Sequence, residues 1–424
     1  MKLIKTENPH LGETMYIGEH KSGLGVFVIP KKGFCKKYAV IGTRYGSIDS
    51  EFIPKGGNEA IKVPDGIAHF LEHKLFEQPD GSNAFDKFSD YGANANAFTS
   101  FNTTCYLFAC TENFNECFEH LLSYVQEPYF TDENVEKEQG IIGQEIRMYD
   151  DDPDWRVQFN LLKALYKNTP VNTDISGTVE SISKIDKDIL YTCYETFYNM
   201  SNMAVCVAGD VDPDEVAAIV EKAIVKEGFG KAVSVYPDEP DGAYKKEIKS
   251  SLEVSIPLFD MGYKDNQTHD GDDILKNEIA MKIITKVIAG DSSDLYNELY
   301  EEGLINASFD TDVMCAPQYS CAIFGGESEN PEEVCERIRK RVEEYTKKGI
   351  CAEEFERVRR SILGSFARSF NDVGSIGRMV LKNVLYGVNT FKFHEIYDTV
   401  TLEYVNERLA DIFKEENRAV SIVC

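Results

Sequence analysis

Three segments from the first half of the chain recur in altered form in its second half. Residues 67–74 match 279–286, residues 92–98 match 303–309, and residues 202–207 match 417–422. The offsets between the partners are 212, 211 and 215 positions. Near-equal offsets at three separated places indicate an internal duplication. The chain is therefore predicted to fold as two domains of the same kind.

The length of the chain agrees with this division. Its 424 residues are too many for one typical core and suggest two domains of about 200 residues each. Residues 236–242 read Tyr-Pro-Asp-Glu-Pro-Asp-Gly, a composition typical of an interdomain linker. We predict a first domain over residues 1–230, a linker over 231–245 and a second domain over 246–424.

Residues 66–77 are predicted to form one helix with two unlike faces. One face is apolar and packs, while the other carries His69, Glu72, His73 and Phe76. His69 and His73 lie one turn apart, so two imidazoles can reach a single ion from one rigid helix. Glu72 lies between them, where it can take a proton from a water held by that ion rather than bind the ion.

A simpler interpretation makes this face an ordinary solvated surface of an amphipathic helix. The chain has only seven His residues, so the pattern should arise by accident in roughly one such chain in a hundred. The other His residues stand alone and are interpreted as ordinary surface or core residues: His10, His20, His120, His269 and His394.

Two acids on a later predicted helix, over residues 131–150, can complete a metal site. Glu138 and Glu145 are two turns apart and share a stripe with two isoleucines. A carboxylate in an apolar stripe needs a compensating partner when it is buried, and a metal ion would be one. The alternative is that both acids pair with Lys137 and Arg147.

Residues 91–100 carry small and polar side chains in extended alternation, and a better strand former follows at residues 104–110. The first segment is too poor in side chains for a buried central strand. It is predicted to be an edge strand that another backbone can join.

The second half has lost the chemistry of the first. Met281, Ile284 and Thr285 stand at the positions of the two His residues and the Glu of the ligand helix. Ser365 stands opposite Glu145. The first domain is therefore predicted to carry the metal, and the second to serve as a scaffold or as a wall beside the substrate.

Charge and cysteine content limit the kinds of partner that the protein can bind and the cellular compartment in which it is expected. A formal net charge of −27 leaves no basic field to attract phosphate backbones, so no nucleic-acid partner is expected. The sequence has neither the apolar start of a signal peptide nor a long apolar run, so no membrane is expected. Its 11 Cys residues lack a Cys-x-x-Cys pair and fit reduced thiols. We expect a cytoplasmic protein.

The His-x-x-Glu-His spacing mirrors the commoner His-Glu-x-x-His and resembles the inverzincin signature of the insulinase, pitrilysin and mitochondrial processing peptidase family. With the edge strand, the acid helix and the duplication, the whole chain resembles a bacterial single-chain, two-domain member of the Firmicute type found beside a metal-free paralogue. The resemblance implies an α+β fold of two homologous domains, each a largely antiparallel sheet flanked by helices as in mitochondrial processing peptidase, closing as half a clamshell.

The resemblance also implies an activity, that of a zinc-dependent endopeptidase hydrolysing extended peptides with one Zn²⁺ per chain. It makes His69, His73 and Glu145 the ligands, the last 72 positions after the second His. Glu138 is implied as a supporting acid and Glu72 as the general base.

Substrate contacts are implied by the same resemblance. Asn96, Ala97 and Thr99 are expected to pair with the substrate peptide as an added strand. We also expect Phe76, on the His face of the ligand helix, to contact the substrate.

One segment departs from the family pattern. Active members usually carry an Arg and a Tyr in the second half, in a segment like Leu-Arg-Glu-Lys-x-Gly-Leu-x-Tyr, that hold the substrate carbonyl. Here residues 299–306 read Leu-Tyr-Glu-Glu-Gly-Leu-Ile-Asn, with Tyr300 near the Arg position. We therefore predict a dimer, either of identical chains or with a metal-free paralogue that completes the site.

Two other functions stay open from the sequence. One is a non-catalytic peptide-binding or assembly subunit that retains zinc as a structural element, although structural zinc sites usually have four protein ligands. The other is a hydrolase of modified peptide conjugates.

Overall fold

A computed structural model describes the whole chain, Met1–Cys424, as a mixture of helices and sheets. The strands are β1 (Ile4–Asn8), β2 (Glu13–Glu19), β3 (Gly25–Pro30), β4 (Lys37–Thr43), β5 (Glu51–Ile53), β6 (Ile61–Lys62), β7 (Asn94–Thr99), β8 (Thr104–Cys110), β9 (Met203–Gly209), β10 (Val233–Ser234), β11 (Glu247–Ser250), β12 (Leu258–Lys264), β13 (Asp310–Ala316), β14 (Tyr319–Glu327) and β15 (Arg418–Val423).

The helices are α1 (Ile67–Lys74), α2 (Ala84–Asp90), α3 (Phe114–Tyr124), α4 (Asp132–Asp150), α5 (Pro153–Leu165), α6 (Val179–Ile182), α7 (Lys187–Phe197), α8 (Pro213–Ala223), α9 (Asp272–Ala289), α10 (Asp294–Glu301), α11 (Pro331–Lys348), α12 (Ala352–Ser369), α13 (Val373–Leu385), α14 (Phe393–Thr399) and α15 (Leu402–Ile412). None of them combines the length and the apolar character needed to cross a bilayer.

Spatial contacts divide the chain into two compact units. The first unit comprises residues 1–146, 174–236 and 367–391, and the second comprises residues 147–173, 237–366 and 392–424. Each unit therefore takes in one segment from the other half of the sequence. The boundaries predicted at residues 230 and 246 follow the internal homology of the sequence and remain a proposal.

The main sheets of the two units share one topology. The first unit has the order β1-β2-β3-β9-β4-β8-β7, and the second has the order β11-β15-β12-β14-β13. The last five strands of the first order correspond one by one to those of the second. In each set the first pair is parallel and the other pairs are antiparallel. The predicted α+β fold with two homologous, largely antiparallel domains is confirmed.

The strand sequences explain their places in the first sheet. All seven residues of β9 are buried, and a continuous apolar run is typical of a strand covered on both faces. In β7 exposed residues alternate with half-buried ones, and this strand lies at the end of the sheet, paired only with β8. The edge strand predicted at residues 91–100 is therefore present.

One helix from each half of the sequence covers the sheet of the other half. In the first unit, a Cβ added at Gly377 of α13 would lie 2.5 Å from the Tyr38 ring on β4. In the second unit, a Cβ added at Gly262 of β12 would lie 3.0 Å from Leu161 and Leu165 of α5. Helix and strand therefore approach closely at both places, and at Gly377 the Tyr38 ring leaves no room for a Cβ.

The linker segment is held by a carboxylate on each side. In the first unit, Ser234 and Tyr236 each donate a hydrogen bond of 2.6 Å to buried Asp49. In the second unit, Glu239 accepts hydrogen bonds from three backbone amides after α5 and from buried Lys264 at 2.8 Å. Side-chain contacts therefore hold Ser234, Tyr236 and Glu239, which lie within the predicted linker of residues 231–245.

The second copy of the ligand helix is a core helix. Met281, Ile284 and Thr285 are almost fully buried in α9. The match between residues 92–98 and 303–309 holds only in part. Gly92 and Gly303 both follow a helix with a positive φ, of 71° and 69°. The edge strand begins two residues after Gly92, at Asn94, whereas a connection over residues 304–309 precedes β13. The extra residues shift the register that the sequence match had assumed.

Candidate metal centre

Helix α1 starts in a backbone conformation that requires glycine. Gly66 has φ = 89° and precedes the helix, and a Cβ there would lie 2.3 Å from the carbonyl oxygen of Ser176. The apolar face of α1 then enters the core of the first unit through Ile67, Phe70 and Leu71. The opposite face is left for the polar side chains.

The helix is shorter than predicted: α1 ends at Lys74 rather than at residue 77. Beyond it the backbone carbonyl of Phe76 accepts a hydrogen bond of 2.8 Å from Ala84 at the start of α2. The Phe76 ring stacks on Phe85 at 4.2 Å between centroids and contacts Tyr106. Phe76 is therefore packed beside the site instead of standing on the His face of the helix.

Three metal-ligand side chains meet at the polar face of α1. His69 Nε2 lies 3.8 Å from Glu145 Oε1, and His73 Nε2 lies 3.6 Å from Glu145 Oε2. One candidate ligand atom from each residue lies within 4.8 Å of the others. These distances exceed a hydrogen bond. They suit ligands around a shared ion, since a tetrahedral zinc with bonds of about 2.0–2.1 Å separates its ligand atoms by about 3.3 Å.

The two imidazoles have different surroundings. His69 is only 9% exposed, and its Nδ1 has no hydrogen-bond partner. Burial, aided by the charge of His73, lowers the pKa of His69 to about 3. The neutral imidazole that results is the form that binds metals. Burial also acts on His73, but the nearby carboxylates outweigh it and raise its pKa.

Glu138 fixes the orientation of His73. Its Oε1 lies 3.0 Å from His73 Nδ1, and its Oε2 lies 3.6 Å from the ammonium group of Lys74. Burial opposes ionisation of Glu138, yet His73 and Lys74 lower its pKa. An ionised Glu138 assigns the His73 proton to Nδ1 and leaves the Nε2 lone pair directed toward Glu145.

The alternative pairing of the two acids with Lys137 and Arg147 does not occur. Lys137 contacts Glu77 at 3.6 Å, and neither basic residue forms an ion pair with Glu138 or Glu145. The basic residue that pairs with Glu138 is Lys74, at 3.6 Å, which the sequence pattern did not indicate. Its ammonium group is fully buried and also contacts Glu77 at 2.8 Å.

Glu72 lies beside the three-residue cluster and is buried, with 6% exposure. Its Oε2 accepts a hydrogen bond of 2.5 Å from the hydroxyl of Thr99. Burial raises the pKa of Glu72 to about 7, although Thr99 and His73 oppose this shift. A carboxyl group with a pKa near neutrality can both accept and release a proton at physiological pH.

The three predicted substrate residues of β7 do not all lie at the metal cluster. Asn96 is exposed and Ala97 is half-buried on the edge strand, whose outer side has no neighbouring strand. Thr99 lies at the end of the same strand, and its hydroxyl contacts Glu72. The structure thus brings Thr99 to the cluster and leaves Asn96 and Ala97 along the open edge.

Two family models match the chain. The model described as "Insulinase (Peptidase family M16)" matches residues 52–179, and the model described as "Peptidase M16 inactive domain" matches residues 184–362. The first range includes the whole cluster around α1 and α4. The second contains none of the cluster residues.

Sequence relatives cover nearly the whole chain. The uncharacterized zinc protease YmfH of Bacillus subtilis is 43% identical over 94% of this chain and 94% of its own length. The uncharacterized zinc protease YmxG of the same organism is 25% identical over 86% of this chain and 90% of its own length.

Solved structures share the fold. An M16-like peptidase from Alicyclobacillus acidocaldarius superposes with a TM-score of 0.94 at 34% identity, covering 99% of both chains. Pitrilysin superposes with a TM-score of 0.77 at 15% identity, covering 99% of this chain and 46% of its own.

Proposed function

Because the chain belongs to the insulinase family of peptidases, family M16, we propose that it is a zinc-dependent endopeptidase acting on extended peptides. The observation that carries this proposal is the convergence of His69, His73 and Glu145 within 4.8 Å, beside the buried carboxylate of Glu72. The name zinc protease borne by its relatives supports the choice of metal.

The number of ligand residues supports a catalytic rather than a structural zinc. Structural sites usually have four protein ligands, whereas catalytic sites have three and keep one position open. The cluster offers three, and one of them, His69, has a buried ring nitrogen, Nδ1, without a hydrogen-bond partner. A bound zinc ion would act as a Lewis acid and lower the pKa of water at the open position.

Glu72 is the residue that we assign to proton transfer. It would accept a proton from the attacking water and return it to the amine nitrogen as the peptide C–N bond breaks. His69, Glu145 and His73, the last oriented by Glu138, would hold the metal.

The open side of β7 supports an extended peptide as the substrate. An added strand would pair with the edge of β7 at Asn96 and Ala97. The backbone amide of Ala97 donates to the Asn96 side chain at 2.9 Å and would exchange that bond for one to the peptide. Phe76, packed on Phe85, would form an apolar wall near the cleaved bond. The metal-free domain, proposed to span residues 246–424, would act as the scaffold.

We include a partner chain in the proposal. Tyr300 stands near the position of the family's Arg and is 53% exposed on α10, a helix that contains no Arg. Stabilisation of the substrate carbonyl would then come from a second copy or a metal-free paralogue. The eleven Cys residues all have free thiols, which supports a reducing compartment such as the cytoplasm.

Digestion of a peptide library by the purified protein, with and without a metal chelator, tests the proposed function. We expect cleavage products in the absence of the chelator and loss of cleavage in its presence. Glu72→Gln should keep zinc and lose ~10²–10⁴ in rate, because only proton transfer is removed. Cleavage that is insensitive to the chelator, or a fully active Glu72→Gln variant, would show that the mechanism is wrong.

A further inference from the structure

The hydroxyl of Thr99 provides the only hydrogen bond that the Glu72 side chain makes. Thr99 Oγ1 lies 2.5 Å from Glu72 Oε2. No other side chain and no backbone amide donates to this carboxylate. Its second oxygen, Oε1, has no hydrogen-bond partner in the protein. The two oxygens of Glu72 are therefore unequal: one is anchored and the other is free.

The direction of this hydrogen bond follows from the available protons. A threonine hydroxyl has one proton to donate. Thr104 Oγ1 lies 3.4 Å behind Thr99 and donates its own proton to the carbonyl oxygen of Tyr45, at 2.9 Å. The Thr99 hydroxyl therefore donates its proton to Glu72, and this bond of 2.5 Å is the shortest of the three contacts.

We propose that Thr99 is a positioning residue that holds the carboxylate of Glu72 through Oε2 and leaves Oε1 to exchange protons. This inference rests on the proposed peptidase function. It gives Thr99 a role different from the direct substrate contact expected from the family pattern. General acid–base catalysis needs the carboxylate within hydrogen-bond reach of the reacting groups, and one anchored oxygen restricts the side chain to such an orientation.

The position of Thr99 also links the base to the substrate. Thr99 is the last residue of β7, the strand whose outer edge is proposed to receive the peptide. Backbone groups of this strand would set the register of the substrate, while the side chain of its last residue sets the orientation of Glu72. A single rigid element would therefore align the peptide bond with the base that acts on it.

The experiment compares the full-length wild type with Thr99→Val and Thr99→Ser, using a fluorescence-quenched peptide built from the best-cleaved library sequence. Valine keeps the branched shape and removes the hydroxyl, whereas serine keeps the hydroxyl. We expect Thr99→Val to lower kcat on the order of tenfold, less than the ~10²–10⁴ expected for Glu72→Gln. KM and zinc content should stay at wild-type values, and Thr99→Ser should recover most of kcat.

A double variant tests whether Thr99 acts through Glu72. In the Glu72→Gln background, adding Thr99→Val should cause no further loss, because residues that act as a unit are non-additive. Thr311→Val is the matched control: Thr311 lies on β13, the edge strand of the second sheet, and its hydroxyl has no partner. This variant should keep the wild-type kcat.

The outcomes are distinct. A wild-type protein that cleaves no peptide overturns the proposed function, and the inference falls with it. If the wild type is active and Glu72→Gln is not, a wild-type kcat for Thr99→Val overturns the inference alone. A further loss in the double variant, or no recovery by Thr99→Ser, also overturns it. Thr99→Ala provides the same comparison if the valine variant binds no zinc or does not fold.

Discussion

Glu138 holds the proposed zinc ligand His73 from behind without reaching the cluster itself. Its carboxylate is buried, with 6% exposure, and contacts His73 Nδ1 at 3.0 Å. Such a partner fixes the ring orientation and the tautomer of the ligand and raises its basicity. Its removal should therefore weaken metal binding by less than the loss of a ligand.

Zinc affinity tests this gradation. We expect Glu138→Gln to weaken zinc binding roughly 10–100-fold, and His73→Ala to lose most of the metal. Competition with a chelator of known affinity gives the dissociation constants. Glu136→Gln, an exposed acid on the same helix, is the matched control and should bind zinc normally. Wild-type affinity in Glu138→Gln would contradict the supporting role.

Asp260 on β12 should make the stability of the protein depend on pH. Burial, with the charges of Asp154 and Asp312, raises the pKa of Asp260 from 3.8 to about 7. Between these two pH values the folded chain holds a proton that the unfolded chain has released. Stability contributed by this group is therefore present at low pH and lost as the pH rises toward 7.

Asp260→Asn removes this titration and keeps the shape of the side chain. Relative to the wild type, we expect the variant to gain on the order of 1–3 kcal/mol of unfolding free energy at pH 8 and almost nothing at pH 4. Denaturant unfolding at the two pH values measures the difference. An equal gain at both would show that Asp260 is ionised throughout the range.

Lys74 shows what residue patterns do not reveal. Its position directly after His73 was plain from the sequence, but lysine is almost never fully buried. Only the three-dimensional arrangement shows that three groups surround its ammonium: the carboxylates of Glu77 and Glu138, and the carbonyl oxygen of Asn134 at 3.1 Å.

At the scale of single elements, α4 carries an unusual interior glycine. Gly140 is exposed, and a Cβ added there would meet nothing within 4 Å. Glycine in a helix interior costs about 1 kcal/mol relative to alanine. Packing therefore gives no reason for glycine at this position of the helix.

Gly140→Ala should accordingly stabilise the protein by about 0.5–1 kcal/mol. Gly377→Ala on α13 should have the opposite sign, about 1–3 kcal/mol of destabilisation, because its Cβ would lie 2.5 Å from the Tyr38 ring. Equilibrium unfolding in denaturant measures both changes. A destabilised Gly140→Ala variant would mean that another group occupies the space beside α4.

Elements with a strong local signal were predictable from the sequence. The ligand helix and the edge strand β7 follow from side-chain periodicity and composition. The end of α1 at Lys74 was not predictable from the sequence. It depends on α2, because the backbone amide of Ala84 in that helix donates a hydrogen bond to the carbonyl of Phe76. The placement of α13 on the first sheet and of α5 on the second was not predictable either, since an amphipathic helix does not encode which of two like sheets it will cover.

At the scale of the whole molecule, the proposed partner chain gives a test by concentration. A dimer that completes the active site should lose specific activity when it is diluted below its dissociation constant, because the isolated chain would leave the zinc site open to water. Sedimentation of the purified protein, paired with peptidase assays across a dilution series, measures both properties. Activity independent of dilution and of added paralogue would contradict the proposal.

Because α13 belongs to the first unit, that unit cannot be completed during biosynthesis until α13 has been translated. The ligand helix is translated about 300 residues before residues 373–385, which cover β4 and β9. At ~5–20 residues per second, the intervening stretch takes some tens of seconds to translate. During this interval the apolar face of the first sheet is uncovered, so the nascent chain is exposed to aggregation and to chaperones. Zinc capture by a complete first unit must therefore wait until α13 has been made.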